Sequence, residues 1–86
     1  MHTAFEKLPE EKREAIIAIC IEEFANNGYE NTSTDVITSR AGISKGILFH
    51  YFKSKKNLYL YIMNYVVSFI TDRAMEEFEK NKTQDF

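Results

Sequence analysis

The stretch STDVITSRAGISKGILFHYF, residues 33–52, decides the fold of this chain. It holds two short helical patterns separated by a glycine. Gly42 can end the first pattern, because glycine readily adopts the left-handed conformation in which helices stop. Ser44 is a strong N-cap for the second pattern. Two short helices joined by a glycine-containing turn of three or four residues predict a helix-turn-helix.

We expect these two helices to span Thr34–Ala41 and Lys45–Phe52. Their facing apolar positions are Ile37, Ile43 and Leu48. An αα-corner that serves only for packing has the same spacing, so the pattern alone leaves both interpretations open.

Two residues are candidates to cap the first of these helices. Ser33 precedes it directly, whereas Thr32 has Asp35 three residues further on, which resembles the spacing of a capping box. Either residue can provide the cap.

A longer amphipathic helix is predicted upstream, over Glu10–Asn26. Ile16, Cys20 and Phe24 recur at intervals of four residues and form its apolar stripe. Gly28 is predicted to end it as a left-handed C-cap. Because Cys20 lies on the stripe, we interpret it as a core residue and not as a nucleophile.

A fourth helix is predicted from Ser54, its N-cap, to about Lys80, a length of about 40 Å. Its segment Leu58–Ile70 contains eleven apolar or aromatic residues out of thirteen, which is more than one core-facing stripe requires. The stripe expected to face the core consists of Leu58, Ile62, Tyr65 and Phe69. The other apolar side chains predict a further interface.

Composition limits the class of protein. The chain has 86 residues, of which 44% are hydrophobic and 28% charged, as in a single folded domain. A single cysteine excludes an internal disulfide and fits a reducing compartment, so we expect a cytoplasmic protein. The N-terminus has no apolar segment of a signal peptide, and a thirteen-residue apolar run is too short for a bilayer, which needs about 20.

Charge is distributed unevenly along the chain, although its net value is −2. Residues 1–35 carry three basic and eight acidic side chains, whereas residues 36–71 carry five basic side chains and no acid. A DNA-binding surface needs local positive potential, not a basic chain as a whole. The acid-free segment therefore makes nucleic acid a possible partner.

Motifs for catalysis and metal binding are missing from the sequence. It has no Gly-x-Ser-x-Gly, no glycine-rich phosphate loop and no His/Cys cluster with metal-ligand spacing. We therefore expect no enzyme, no cofactor and no metal site.

Two segments carry a resemblance to a known family. FANNGYENTS (residues 24–33) and AGISKGILFHYFKSKKNL (residues 41–58) look like the N-terminal DNA-binding domain of TetR family transcriptional regulators. The second segment is similar to the family pattern AGVSKGTLYYHFKSKEEL. The resemblance covers roughly Arg13–Leu60.

The resemblance implies an all-α architecture with two parts. Residues 1–53 would form a three-helix DNA-binding domain. Residues 54–86 would form a connecting helix and the start of an all-helical regulatory domain, which we expect beyond this sequence. It further implies a ligand-responsive repressor that binds a palindromic operator in the major groove of double-stranded DNA as a homodimer. A small-molecule effector would bind the further domain, and no membrane is expected.

This chain departs from the family pattern at several positions. Thr38 stands where the family has a small alanine, and Phe49 replaces a tyrosine. His50 and Tyr51 reverse the order of the family's Tyr-His pair.

The helix-turn-helix docking mode and the resemblance together give a set of candidate DNA-binding residues. They are Thr34, Ser44, Lys45, Gly46, Ile47, Phe49, His50, Tyr51 and Lys55. Lys45 is the best candidate for a guanine edge, while Lys55 and Thr34 resemble phosphate contacts of the family.

Simpler interpretations of these residues remain. Ser44 can be a cap only, Gly46 can be merely tolerated, and Lys45, Ile47 and His50 can be ordinary surface side chains. Tyr51 can pack inward with its hydroxyl at the edge of the core. The alternative function is a helical protein-interaction module that pairs through residues 58–70 and binds no DNA.

Overall fold

The computed structural model describes the backbone of residues 3–83. Its helices are α1 (Thr3–Glu6), α2 (Glu10–Asn31), α3 (Thr34–Ala41), α4 (Lys45–Phe52) and α5 (Lys55–Thr83). The described residues contain no strand, which confirms the predicted all-α fold. The bounds of α3 and α4 agree with the prediction. The outer ends of the predicted parts 1–53 and 54–86 lie outside the described residues.

Helix α1 is not predicted by the sequence pattern, because four residues are too few to show a helical period. Phe5 anchors it with a fully buried ring whose centroid lies 4.9 Å from that of Phe52. The Arg13 guanidinium donates hydrogen bonds to the carbonyl oxygens of Glu6 (3.2 Å) and Leu8 (3.0 Å). These contacts fasten the N-terminal segment to both α2 and α4.

Helix α2 extends further than predicted, to Asn31 instead of Asn26. Gly28 interrupts it with φ +77° and ψ 169°, which is a kink and not the left-handed helical C-cap that was expected. Because glycine has no Cβ, the chain can make this change of direction and then form one more helical turn.

The cap of α3 is Ser33, whose Oγ accepts a hydrogen bond from the N–H of Val36 at 3.3 Å. Thr32 does not cap the helix, so that alternative is wrong. Its side chain is buried, and its hydroxyl contacts the carbonyl oxygens of Glu23 (3.0 Å) and Gly28 (2.6 Å). Thr32 therefore stabilises the kinked end of α2.

All five helices contribute to the buried residues of one core. Its members are Phe5, Ile16, Ile17, Cys20, Phe24, Ile37, Leu48, Phe52, Leu58 and Ile62. The predicted boundary between residues 53 and 54 falls between α4 and α5, and it stays a prediction. The first turns of α5 pack on the same core as α4, so α5 is held firmly beside the helix-turn-helix.

Helix α5 begins as predicted, because the Ser54 Oγ accepts a hydrogen bond from the N–H of Asn57 at 3.1 Å. Its described part reaches Thr83, beyond the predicted end at about Lys80. Phe69 is 53% exposed, so its predicted place in the core stripe is wrong. Residues 67–82 of α5 are exposed, and the molecule measures 55 × 28 × 20 Å with a long projecting helix.

Candidate nucleic-acid interface

The turn between α3 and α4 fixes the direction of α4. Gly42 takes the left-handed conformation (φ +70°, ψ 30°), as predicted for the residue that ends α3. The N–H of Ile43 donates to the carbonyl oxygen of Thr38 at 3.1 Å. Ser44 caps α4 with an Oγ that accepts from the N–H of Ile47 at 3.1 Å. Together these bonds satisfy main-chain groups at both helix ends and hold the two helices at a fixed angle.

Helix α4 has one face in the core and one in solvent. Leu48 and Phe52 are each 1% exposed, as expected for core residues. Gly46, Ile47 and His50 are exposed on the other side, since at 100° per residue they point more than about 100° away from the direction of the core pair. This exposed surface is what a recognition helix needs to approach DNA.

Phe49 and Tyr51 lie on opposite flanks of α4, and both are half-buried. The Tyr51 ring packs edge-on against Phe5, with centroids 5.6 Å apart. The His50 and Tyr51 ring centroids are 6.1 Å apart. The structure therefore places Tyr51 beside α1, in agreement with the inward-packed alternative for this side chain.

Lys45 begins α4 and forms an ion pair with a residue of α3. Its Nζ lies 3.1 Å from Oδ1 of Asp35, and the two side chains are 55% and 73% exposed. Thr34, the first residue of α3, is half-buried beside Asp35 in sequence. The N-terminal ends of α3 and α4 therefore meet through the pair of Asp35 and Lys45.

Lys55 lies at the start of α5 and contacts the kinked end of α2. Its Nζ donates to the carbonyl oxygen of Glu30 at 3.3 Å and sits 4.7 Å from the centroid of the Tyr29 ring. The carbonyl oxygen and the ring face both attract the ammonium group. These contacts hold Lys55 at the N-terminus of a helix, where a phosphate is also favoured.

Arg40 is one of the five basic side chains of residues 36–71, and it is paired with acids of α2. Its guanidinium contacts Oε1 of Glu22 at 2.6 Å and Oε2 of Glu23 at 2.9 Å. Hydrogen bonds to these two carboxylates raise the pKa of Arg40. The two carboxylates neutralise the positive charge of Arg40. The residue therefore joins α3 to α2 and adds little to a positive surface.

Cys20 is fully buried, which supports its interpretation as a core residue. Burial, with a smaller contribution from the Glu23 carboxylate, raises the pKa of the Cys20 thiol to about 12. The thiol therefore stays protonated near neutral pH, and a protonated thiol is a poor nucleophile.

Residues 3–83 contain neither a cluster of metal-ligating side chains nor a helix suited to span a membrane. No three His, Cys, Asp or Glu side chains there are grouped as metal ligands. Over the same residues, no helix combines the length and the apolar character that a membrane span requires.

The fold and the exposed face of α4 define the class of protein. Two short helices joined by a tight turn, with the second helix exposed beyond its packed side, form a helix-turn-helix DNA-binding domain. Comparison with known proteins then identifies the family. The sequence profile described as "Bacterial regulatory proteins, tetR family" matches residues 16–62, and the chain belongs to this family.

Curated relatives carry regulatory names. The chain is 37% identical over 71 residues to the HTH-type transcriptional regulator QacR of Staphylococcus aureus, which covers 83% of this chain and 38% of the relative. It is 38% identical over 58 residues to the HTH-type transcriptional activator FasR of Mycolicibacterium smegmatis, covering 66% and 26%. It is 32% identical over 56 residues to the HTH-type transcriptional regulator RutR of Escherichia coli K12, covering 65% and 26%.

The chain thus spans well under half the length of these curated relatives. No solved structure matches it significantly. The relatives support DNA-binding regulation as the general function, and they are named as regulators and not as enzymes.

Sequence patterns did not indicate the contacts that two residues make with the candidate interface. Asp35 pairs with Lys45 ten residues away, and only the geometry of the turn brings them together. Its position as the last acid before the acid-free segment was the available signal. Phe5 lies in a short helix without a period, and its apolar side chain alone gave no indication of its contact with α4.

Proposed function

We propose that this chain is the DNA-reading part of a sequence-specific transcriptional regulator, with α4 as the recognition helix. The observation that carries the proposal is the exposed face of α4, opposite the buried pair Leu48 and Phe52. A helix presented in this way in a helix-turn-helix enters the major groove, and its N-terminal residues meet base edges. Membership of a regulator family supports the same function.

The candidate residues take different roles in this proposal. Lys45 contacts a guanine edge, because its ammonium can donate to O6 and N7. Ser44, Thr34 and Lys55 bind phosphates near helix N-termini, where free N–H groups and the helix dipole favour an anion. Gly46 allows close approach of the backbone to DNA.

The remaining candidates lie further along α4. Ile47 and Phe49 contact thymine methyl groups or sugars, and His50 donates to a phosphate or a base. Tyr51, on the flank beside α1, directs its hydroxyl to a phosphate at the edge of the interface.

We further propose a homodimer that binds a near-palindromic operator. Two copies of α4 would enter successive major grooves about 34–36 Å apart. Side chains that α5 exposes support a dimerisation or effector-binding region around this helix, since Leu60, Val67 and Ile70 are each more than half exposed. Effector binding to a further domain would change the separation of the two recognition helices through α5.

Repression is the proposed direction of regulation, and it rests on the family alone. One relative is named an activator, so the direction requires its own test. A reporter gene placed behind the selected operator should be expressed less in cells that contain the protein. Higher expression would contradict repression and leave DNA binding intact.

Selection of bound sequences from random duplex DNA by the full-length protein tests the proposal. We expect a near-palindrome whose half-sites are centred about 10–10.5 base pairs, or a multiple, apart. Recovery of no preferred sequence would contradict sequence-specific binding.

A second candidate function is a helical interaction module that pairs through residues 58–70 without binding DNA. The exposed apolar side chains of this segment favour it. Such a module would show self-association or partner binding and no affinity for any duplex at low salt, so the same selection separates the two functions.

A further inference from the structure

Asp35 is an exposed acid within the surface proposed to meet DNA. It is the second residue of α3, between Thr34 and the acid-free segment 36–71, and its side chain is 73% exposed. A carboxylate at this place repels phosphates of any DNA, whatever the sequence. Its presence therefore lowers affinity unless it does something else at the interface.

The structure shows a defined partner for this carboxylate. Oδ1 of Asp35 lies 3.1 Å from Nζ of Lys45, the residue proposed to contact a base edge. An exposed ion pair of this kind contributes little to folding stability. The pair therefore gives the lysine ammonium a defined position and adds little to the stability of the fold.

The main chain around Asp35 is held in place. The hydroxyl of the buried Thr38 donates to the carbonyl oxygen of Asp35 at 3.1 Å, and the carbonyl oxygen of Thr38 accepts from the N–H of Ile43 at 3.1 Å. This chain of bonds connects the first turn of α3 to the turn that precedes α4. The main chain that carries the Asp35 side chain is thus connected to the turn that precedes Lys45.

We propose that Asp35 is a specificity-determining residue that positions Lys45. Its carboxylate holds the lysine ammonium at the N-terminal end of α4 and keeps it from neighbouring phosphates. The same carboxylate disfavours non-specific contact with the backbone. Specific sequences are then preferred because a lysine held at this place can donate only where the base pair beneath it presents an acceptor. The inference rests on the proposed function of α4.

The variant Asp35→Asn tests this role, because it removes the charge with little change of shape. In the full-length protein we expect non-specific affinity for a scrambled duplex to rise about three- to fivefold, as for loss of one exposed charge interaction. Affinity for the selected operator should rise less or fall. The ratio of specific to non-specific affinity therefore decreases.

Two further variants separate positioning from a simple change of net charge. Glu79→Gln removes the same charge from the exposed distal part of α5, and it should leave the ratio unchanged. In a Lys45→Met background, Asp35→Asn should no longer alter the preference among single-base-pair variants of the operator. This loss of effect is the signature of action through Lys45.

The outcomes distinguish this inference from the proposed function. If the native protein selects a sequence but Asp35→Asn leaves the affinity ratio unchanged, the positioning role is wrong and the proposed function stands. An equal effect of Asp35→Asn with and without Lys45 would also overturn it. If the native protein selects no sequence at all, the proposed function is wrong, and so is this inference, which rests on it.

Discussion

Gly46 is the residue of α4 at which the requirements of folding and of DNA binding differ most. It is exposed, and a Cβ built on it would meet, among the described residues, only the Ser44 Oγ at 3.9 Å. The fold therefore has room for a side chain here. Gly42, four residues earlier, has equal room but a φ of +70°, which side chains disfavour.

We expect Gly46→Ala to stabilise the fold by up to about 1 kcal/mol, because alanine is the better helix former. The same change should weaken operator binding about tenfold, since the methyl group keeps α4 from the groove. Urea denaturation and binding titration measure the two effects. Gly42→Ala is the matched control and should destabilise by about 1–2 kcal/mol. Unchanged operator affinity in Gly46→Ala would show that DNA does not approach this position.

Lys45 and Lys55 are expected to contribute differently to binding. Lys55→Met should weaken binding to all duplexes alike and reduce the salt slope by about 0.9, as for loss of one phosphate contact. Lys45→Met should in addition relax the preference at one base pair. Titrations against the operator and its single-base-pair variants measure both. If both variants lost the same affinity for the operator and for all its single-base-pair variants, Lys45 would not contact a base edge.

The raised pKa of the Cys20 thiol leads us to expect that stability depends on pH. In the folded protein burial raises its pKa to about 12, above the ordinary value of 9.0 that applies when the chain is unfolded. The contribution of the buried, protonated thiol to the free energy of unfolding is therefore fully present below pH 9. It is lost as pH rises toward 12, because the thiol of the unfolded chain ionises first.

We expect the native protein to lose more stability between pH 8 and about pH 10.5 than the variant Cys20→Val, which has no ionisable group at this position. Urea midpoints at the two pH values provide the measurement. An equal loss in both proteins would mean that the thiol ionises as readily in the core as in water.

At the scale of the helices, α1 determines how firmly the recognition helix is held. Its buried side chain Phe5 packs on Tyr51 and Phe52 of α4 and on Tyr61 of α5, with centroid distances of 5.6, 4.9 and 5.6 Å. A hydrogen bond between the Tyr61 hydroxyl and the Glu6 carboxylate, 3.3 Å long, adds to this contact. Helix α1 thus bridges the two helices that are expected to move in regulation.

Removal of the Phe5 ring should therefore be costly. We expect Phe5→Ala to lower the free energy of unfolding by about 3–5 kcal/mol, as for other buried phenylalanines. Phe78→Ala is the control, because Phe78 is 61% exposed and should change stability by less than about 0.5 kcal/mol. Denaturant unfolding compares the two variants. Similar stabilities would indicate that α1 does not pack on the core in solution.

The first and last residues of α3 and α4 could be predicted from the sequence. The end of α2 and the helix α1 that pack beside them could not. Ser44 and Gly42 determine the ends of helices by local chemistry, which is visible in the sequence. The end of α2 was missed because Thr32 satisfies carbonyl oxygens of Glu23 and Gly28, and such bonds depend on the folded path of the chain.

In the candidate site, too, local features could be predicted from the sequence and contacts between distant residues could not. The resemblance gave the residues of α4, and the amphipathic pattern separated the buried Leu48 from its exposed neighbours. The pairing of Lys45 with Asp35 and of Arg40 with Glu22 and Glu23 could not be predicted, because these contacts join residues ten or more positions apart across a turn.

At the scale of the whole molecule, α5 connects two different environments. Its first turns are buried with Leu58 and Ile62, whereas the part beyond Tyr65 and Val66 is exposed and carries apolar side chains such as Phe69. One continuous helix therefore extends from the DNA-binding domain to an exposed segment with apolar side chains. This arrangement suits a regulator in which a movement of α5 changes the position of α4.

The salt dependence of DNA binding tests the central claim, that this domain binds duplex DNA through α4, most directly. The full-length protein should bind its selected operator with a log–log slope of about −3 to −4.5 per monomer, as expected for about three to five phosphate contacts. A scrambled duplex should bind more weakly at every salt concentration. Failure to bind any duplex even at low salt would contradict the account.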